Sequence, residues 1–188
     1  GLKSMFGTMA KPLHAGRAAQ NGLLAAQLAA RGFTARPDAL ECEQGFAATQ
    51  STDFNAAEAM ADKSADAHLR ANLFKYHAAC YLTHGAIEAA SRLRQDHGIA
   101  PAIIETITIT VAPGSDRVCN IASPTTGLEA KFSLKLTAAM ALAGWDTSGI
   151  AVYTDELTRD PELVRLRDAT TVEFSTQMGG AEGQVSIR

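Results

Sequence analysis

Small apolar side chains, mostly alanine and leucine, dominate residues 12–31 and predict a long helix. Pro12 suits the first helical position, because the N–H group that proline lacks has no partner there. Gly32 is typical of the residue just after a helix end, since glycine adopts a left-handed backbone without strain. With so many small side chains, this helix is expected to pack closely against other helices and not on a sheet.

Helical spacing of apolar residues returns in two later stretches, residues 78–97 and residues 128–143. Gly98 and Gly144 follow these stretches and are suited to end a helix. The sequence therefore predicts two further long helices in the second half of the chain.

A different pattern, with apolar and polar residues in alternation, marks the strands. Residues 103–111 alternate isoleucine with threonine and form the strongest strand pattern in the chain. Residues 170–175 and 184–188 are weaker strands, and the glycine-rich loop at 179–183 between them predicts a hairpin. The expected fold class is α+β, with a small, mostly antiparallel sheet and helices packed on one face.

Shorter signals fill the remaining chain. Pro37 predicts the start of a short helix, and Asp160 followed by Pro161 predicts another, with the aspartate as N-cap. The candidate caps of a helix over residues 56–63 are Ser51, Asp53 and Asn55. Residues 65–77 have a mixed pattern, in which three residues are compatible with a strand: Leu69, Leu73 and Phe74.

The two kinds of pattern suggest two domains. We expect residues 1–34 to hold the last helix of an all-helical domain, and residues 35–188 to form an α+β domain. The chain opens just before a glycine turn that leads into the long helix, and it closes on a strand-like alternation. This favours a fragment of a longer protein.

Composition narrows the classes of function. The chain has 188 residues and a formal net charge of −3, so no general cation excess favours nucleic acid as a partner. The longest apolar run, near residues 136–143, is too short to cross a bilayer, and no signal peptide is evident. Three widely spaced cysteines, Cys42, Cys80 and Cys119, are typical of reduced thiols. We expect a cytoplasmic protein.

Three cationic or titratable residues, Lys11, His14 and Arg17, are spaced three apart at the start of the first helix. A helix N-terminus already carries partial positive charge, so cations there do not stabilise the helix. They are explained either by an anionic ligand or by simple solvation of a basic surface.

A second candidate region runs from Phe74 to His84. Lys75 is expected just before a helix N-terminus, and Cys80 and His84 are four apart, as on one helix face. His77, Cys80 and His84 form a poor zinc pattern, because no CxxC or HExxH accompanies them. A Cys–His nucleophilic dyad and a purely structural role for both residues stay open.

Three motifs, in this order, resemble the MmgE/PrpD family, which includes 2-methylcitrate dehydratase, cis-aconitate decarboxylase and iminodisuccinate epimerase. They are Gly7-Thr8-x-x-Lys11-Pro12-Leu13-His14-x-Gly16-x-Ala18-Ala19, Phe74-Lys75-x-x-x-x-Cys80-x-x-x-His84 and Glu129-Ala130-Lys131-Phe132-Ser133. The resemblance covers nearly the whole chain. It implies a large helical domain and a smaller α+β domain that closes over a cleft for a di- or tricarboxylate.

The resemblance also implies site residues and chemistry. Lys11 and Lys75 would be catalytic, while His14, His84 and Cys80 would bind substrate. The reaction would be proton abstraction α to a carboxylate, most simply a dehydration, with decarboxylation and epimerisation as alternatives. The resemblance implies no metal or organic cofactor. The full-length protein is expected to be a homodimeric hydro-lyase.

Two departures from the family pattern keep a non-catalytic alternative open. Relatives often carry a tyrosine three residues after the serine of the third motif, and Leu136 stands there in this chain. An aspartate and histidines that the family supplies from its helical domain lie outside these residues. The chain alone is therefore expected to be inactive, and a module that only binds an anion or a partner protein is the competing interpretation.

Overall fold

The computed structural model describes residues 1–59, 61, 70 and 72–188. Its contacts divide the chain into two compact units. The larger unit comprises residues 1–14 and 75–188, and the smaller unit comprises residues 15–74.

The predicted first helix is confirmed as α1, Ala10–Ala30, whose first residues belong to the larger unit and whose remainder belongs to the smaller. It begins two residues earlier than expected, so Pro12 is its third residue and still lies in the turn where no N–H partner is needed. Gly32 follows with a φ of 82°, the left-handed conformation that ends many helices. None of the residues of α1 is buried.

Within residues 15–59 the smaller unit contains two further short helices, α2 (Phe46–Gln50) and α3 (Ala56–Ala59). The helix predicted at Pro37 is wrong, because residues 37–42 form turns. The reason is visible in the hydrogen bonds: the N–H groups of Phe46 and Ala47 bond to the carbonyl oxygens of Ala39 and Leu40, each at 2.9 Å. These carbonyl groups therefore hold the start of α2.

The cap predicted for the helix at residues 56–63 is confirmed at Asn55, whose side chain accepts from the Glu58 N–H at 3.2 Å. Residues 60, 62 and 63 of that predicted helix lie outside the described residues, as does Leu69 of the suggested strand. Leu73 and Phe74 are exposed and belong to no strand.

The sheet of the larger unit has three strands, β1 (Ile107–Val111), β2 (Thr170–Phe174) and β3 (Gly183–Ile187). Their order is β2-β1-β3, with β1 parallel to β2 and antiparallel to β3. The α+β class is confirmed. However, the sheet is mixed and not mostly antiparallel, and the predicted terminal hairpin is wrong. β2 and β3 pair with opposite edges of β1 and not with each other, a long-range choice that no local turn signal specifies.

The helix predicted over residues 78–97 is shorter than expected. The described residues show a 3-10 turn at Tyr81–Thr83, followed by α4, His84–His97. Cys80 is extended, and its carbonyl oxygen accepts from both the N–H (2.9 Å) and the hydroxyl (2.7 Å) of Thr83. The backbone therefore turns at Cys80 before the helix begins. Gly98, with a φ of 60°, ends α4 as predicted.

The single helix predicted over residues 128–143 is two helices, α6 (Gly127–Ala130) and α7 (Leu134–Ala143), and a shorter α5 (Asp116–Cys119) precedes them. Ser133 separates α6 from α7 because its backbone is extended and forms an isolated bridge with Asn120. Its hydroxyl then caps α7 by accepting from the Leu136 N–H at 3.2 Å.

The predicted helix start at residue 160 is confirmed in α8, Pro161–Asp168. The Asp160 carboxylate accepts from the N–H groups of Glu162 and Leu163, both at 3.0 Å. The other 3-10 turns lie at Lys3–Met5, Pro101–Ile103, Ile150–Val152 and Leu157–Arg159.

The core of the larger unit forms where α4, α7 and α8 meet the sheet. α7 packs against both α4 and α8, and eight of its ten residues are buried. Alternate residues of β1, Ile107, Ile109 and Val111, are buried in the same hydrophobic cluster. No helix among the described residues is both long and apolar enough to span a bilayer.

Candidate functional site

A cavity of about 480 Å³ opens within the larger unit. Three lysines line it, Lys11 from the first turn of α1, Lys75 from the segment before α4 and Lys131 from the loop between α6 and α7. His77 and Cys80 contribute to the same wall. None of the described residues that line the cavity is an aspartate or a glutamate. The cavity is therefore a cationic environment of a size that suits a small ligand.

Lys11 reaches the cavity beside two aromatic rings. Its ammonium lies 5.1 Å from the ring centroid of Phe6 and 5.6 Å from that of Phe132, distances at which the ring faces attract a cation. The two rings are themselves 5.2 Å apart. A turn leads the chain into this position, with Gly7 at a φ of 83°, where a side chain would be strained. Packing therefore orients Lys11 and leaves its N–H donors for a ligand.

Lys75 is exposed, and its ammonium donates to the carbonyl oxygen of Ala79 at 3.0 Å. The expectation that it lies just before a helix N-terminus is wrong, because α4 begins nine residues later, at His84. The irregular backbone between them bends the lysine back towards residues 79 and 80. This bend replaces the helix terminus as the feature that brings Lys75 to the cavity.

Lys131 is a cavity residue that sequence reasoning did not single out as a site residue. Its ammonium lies 5.4 Å from the ring centroid of Tyr153, and its carbonyl oxygen accepts from the Cys80 N–H at 2.8 Å. The third motif of the family resemblance contains this lysine, so the signal was present. Its place at the cavity depends on the break between α6 and α7, which the apolar pattern does not show.

The Cys80 side chain borders the cavity and is 9% exposed. A hydrogen bond from the thiol of Cys119 is the largest influence on it and, with the charges of Lys75 and Lys11, lowers the pKa of Cys80 to about 6, against the opposing effect of burial. In turn, the pKa of Cys119 is raised, first by its bond to Cys80 and then by burial. Of the two thiols, Cys80 therefore loses its proton more readily than Cys119.

His84 lies beside the cavity and does not line it. Its ring is 9% exposed and packs edge-on against His77, with 4.9 Å between ring centroids. Burial, followed by the charges of His77 and Lys75, lowers the pKa of His84, so the imidazole is neutral at pH 7. Its Nε2 atom is buried and has no hydrogen-bond partner within the described parts of the chain. Cys80 and His84 do not share a helix face, because Cys80 precedes the helix.

His77 links the cavity to the body of the unit. Its Nε2 is 2.9 Å from a carboxylate oxygen of Glu88, and its Nδ1 is 2.7 Å from the hydroxyl oxygen of Thr147. Both ring nitrogens thus have protein partners, which leaves neither of them for a metal ion. Over the residues that the structure describes, no group of three or more histidine, cysteine or acidic side chains is arranged to hold a metal.

His14, like His84, is a predicted substrate-binding residue that does not line the cavity. It is half-buried in α1, and its ring contacts Gly1. Arg17 points to another partner and donates to the side chain of Gln20 at 2.7 Å. Lys11, Lys75 and Cys80 therefore come together at one cavity. His84 packs behind the ring of His77, which lines that cavity.

Comparison with known protein families finds two matches. Residues 77–186 match the MmgE/PrpD C-terminal domain, and residues 1–59 match the MmgE/PrpD N-terminal domain. The first match alone spans more than half of the chain, and the chain belongs to the MmgE/PrpD family. A comparison with curated proteins finds no significant match.

Proposed function

We propose that the chain is the C-terminal part of an MmgE/PrpD lyase that acts on a small di- or tricarboxylate. The observation that carries this proposal is the cavity with three lysines and no carboxylate among its described lining residues. A substrate with several carboxylates needs several cations, because each buried carboxylate must be paired. Lys11 also lies at the N-terminal end of α1, where the helix dipole favours an anion.

The proposed reaction is proton abstraction α to a carboxylate, followed by loss of water. Negative charge then develops on the carboxylate oxygens, and fixed ammonium groups stabilise that charge more in the transition state than in the ground state. Lys11 and Lys75 are the proposed catalytic residues for this charge stabilisation and for proton transfer. Loss of carbon dioxide or reprotonation from the other face would use the same carboxylate contacts and would make the protein a decarboxylase or an epimerase.

Residues around the lysines are proposed to position the substrate. His84 is held as a neutral imidazole, which donates and accepts one hydrogen bond without adding charge. Cys80 binds a carboxylate only as the protonated thiol, since its ionised form would repel the ligand. His14 would need to turn away from Gly1 to take the substrate-binding role that the family resemblance implies.

The rest of the protein follows from the family. We propose that residues 1–34 are the last helix of a helical domain and that residues 35–188 form the α+β domain. We also propose that the full-length protein is a cytoplasmic homodimer and needs no cofactor. The side chains of α1, none of which is buried here, would then pack against other helices of that domain.

A second candidate function is anion binding without catalysis, and Leu136 favours it. This residue stands where relatives often have a tyrosine, and it is fully buried in α7. Leucine supplies no hydroxyl for proton transfer. The chain would then hold a polycarboxylate in the same cavity without converting it.

The test is to assay the complete product of the reading frame with 2-methylcitrate, cis-aconitate and iminodisuccinate. The Lys75→Gln and Lys11→Gln variants should lose about 100-fold or more in turnover, the loss typical of removing one charge-stabilising group. Lys3→Gln is the matched control, because Lys3 is exposed and does not line the cavity. Wild-type turnover by Lys75→Gln would contradict the site.

Calorimetric titration of the chain itself with the same three compounds separates the two candidates. Binding that is lost in Lys75→Gln, without turnover by the complete protein, would favour the anion-binding function. Neither binding nor turnover with any of them would contradict both.

A further inference from the structure

We propose that His77 is a positioning residue of the cavity: it joins α4 to Thr147 and so holds the loop at residues 75–80 in the conformation that presents Lys75 to a ligand. This role rests on the proposed function, in which the Lys75 ammonium contacts a carboxylate of the ligand. It applies to the lyase and to the anion-binding candidate alike, because both need that ammonium in a fixed place.

The imidazole of His77 is held at both of its nitrogen atoms. Its Nε2 lies 2.9 Å from a carboxylate oxygen of Glu88 in α4, and its Nδ1 lies 2.7 Å from the hydroxyl oxygen of Thr147. A carboxylate only accepts hydrogen bonds, so in the neutral ring Nε2 carries the proton and Nδ1 accepts from the hydroxyl. The ring lines the cavity, but both nitrogens already bond to the protein. The geometry therefore favours a positioning role over a catalytic one.

Backbone hydrogen bonds continue this attachment along the loop. The Ala78 N–H donates to the carbonyl oxygen of Thr147 at 2.9 Å, and the Cys80 N–H donates to that of Lys131 at 2.8 Å. Thr147 therefore holds the loop twice, once through its hydroxyl group and once through its carbonyl group. The Tyr153 hydroxyl donates to the same carbonyl oxygen of Thr147 at 3.1 Å and so fixes this anchor in turn.

The position of Lys75 follows from the conformation of the loop. The residue is exposed, and its ammonium donates to the carbonyl oxygen of Ala79 at 3.0 Å, an acceptor within the same loop. A shift of the backbone at residues 77–79 therefore moves this acceptor and the ammonium together. A misplacement of about 1 Å is enough to remove much of the effect of a charge-stabilising group. The bonds of His77 are thus expected to matter for the ligand.

The surroundings of the two partners separate this role from a purely structural one. The Glu88 side chain is 52% exposed, and an ion pair with so exposed a carboxylate contributes little to stability. Loss of the His77 bonds should therefore affect the ligand more than the unfolding of the chain. Glu88 and Thr147 are not among the described residues that line the cavity, so changing them tests the link without removing a ligand contact.

The central experiment is a double-mutant cycle between His77 and Lys75 in the complete product of the reading frame. His77→Phe keeps an aromatic ring and removes both nitrogens, and it should lower kcat about 10–100-fold with little change in KM. In the Lys75→Gln background the same change should have no further effect, because a residue that acts through Lys75 then has nothing left to position. If the compounds bind without turnover, the same cycle is measured on their dissociation constants.

Variants of the two partners give matched controls, and thermal unfolding verifies that each of them folds. Thr147→Val removes the hydroxyl but keeps the side-chain shape and the backbone bonds, so it should reproduce the loss, whereas Thr147→Ser should recover most of it. Glu88→Ala should lower kcat in the same direction. Asp96→Ala removes an exposed carboxylate from the same helix and should behave as wild type. Thr147→Val also carries the cycle with Lys75→Gln if His77→Phe does not fold.

The outcomes distinguish this role from the proposed function. Wild-type turnover and binding in Lys75→Gln would overturn the proposed site, and the role of His77 with it. A loss in Lys75→Gln beside wild-type behaviour of His77→Phe and Thr147→Val would overturn the positioning role alone. Losses that multiply in the double variant would do the same, because a purely structural effect does not depend on the lysine.

Discussion

Two alanine-rich helices in this chain have similar compositions and opposite environments. α1 has 21 residues, none of them buried, whereas α7 has ten residues, of which eight are buried. Alanine and leucine favour a helix in both, so helix propensity does not distinguish them. Burial does. α7 lies in the core of the larger unit, whereas most of α1 belongs to the smaller unit, in which nearly every described residue is exposed or half-buried.

The glycines of the helices show the same contrast. In α1, a side chain added at Gly22 would meet no atom within 4 Å. In α4, a Cβ atom at Gly85 would lie 2.6 Å from the backbone nitrogen of Gly183 and 2.7 Å from the carbonyl oxygen of Ala181. The second glycine permits a helix to approach β3 closely, and the first is only a weak point in a helix. The predictions below test this contrast.

The largest effect is expected from the buried leucines of α7. Leu142→Ala should lower the free energy of unfolding by about 2–5 kcal/mol, since it leaves a cavity in a core where Leu142 is fully buried. Leu24→Ala in α1 should change it by no more than about 0.5 kcal/mol, because Leu24 is 52% exposed.

Urea unfolding measures both variants, with the fluorescence of the single tryptophan, Trp145, as the probe of the larger unit. Trp145 is the second residue after α7, so it reports on the helix that Leu142→Ala changes. Equal losses in the two variants would contradict the contrast in burial.

A smaller effect, with opposite signs in the two helices, is expected from glycine replacement. Gly85→Ala should destabilise the larger unit by about 1–3 kcal/mol, because the new methyl group overlaps the backbone of residues 181–183. Gly22→Ala should stabilise α1 by about 1 kcal/mol, since alanine is the better helix former and has room. Circular dichroism during thermal unfolding follows both changes. A tolerated alanine at position 85 would mean that the helix–strand contact is looser than described.

The smallest effect concerns pH and is confined to the larger unit. The pKa of His84 in the folded chain is lowered below the ordinary value of 6.5 because the ring is buried. Protons therefore bind more readily to the unfolded chain, and stability is lost as pH falls through about 6.5. Between pH 7.5 and 5.5, wild type should lose more unfolding free energy than His84→Leu.

The control for this measurement is His97→Leu, in which an exposed histidine at the other end of α4 is replaced. It should keep a pH-dependent loss close to that of wild type. An identical loss in wild type and in His84→Leu would show that His84 does not contribute.

Local sequence signals predicted the elements whose causes are local. Alternating isoleucine and threonine predicted β1, and Asp160 before proline predicted the start of α8. The division between α6 and α7 was missed, because apolar spacing continues through Ser133 while the backbone there bonds to Asn120, thirteen positions away. The sheet order was missed for the same reason. The alternation of apolar and polar residues shows which face of a strand is buried, but it does not show which other strand pairs with it in the sheet.

The candidate site likewise has residues that the sequence indicated and others that depend on contacts between distant parts of the chain. The cationic residues Lys11 and Lys75 stand in recognisable motifs, so the sequence indicated them, and the structure brings both to one cavity. Lys131 also stands in a motif, but its exposure to the cavity depends on the backbone between α6 and α7. The hydrogen bond from the Cys80 N–H to the Lys131 carbonyl oxygen joins residues 51 positions apart and has no sequence signal.

The order of the strands has a consequence for how the chain folds during synthesis. In the part of the chain that the structure describes, the partners of β1 are residues 170–174 and 183–187, so about sixty residues must follow β1 before its first neighbour exists. Contacts so distant in sequence form slowly, because loop closure must precede them. Until then the nascent chain presents Ile107, Ile109 and Val111 as an unpaired apolar edge, the kind of surface on which chaperones act and aggregation begins. The central strand of the sheet is thus synthesised before both of its neighbours, and its backbone forms its hydrogen bonds only after they follow.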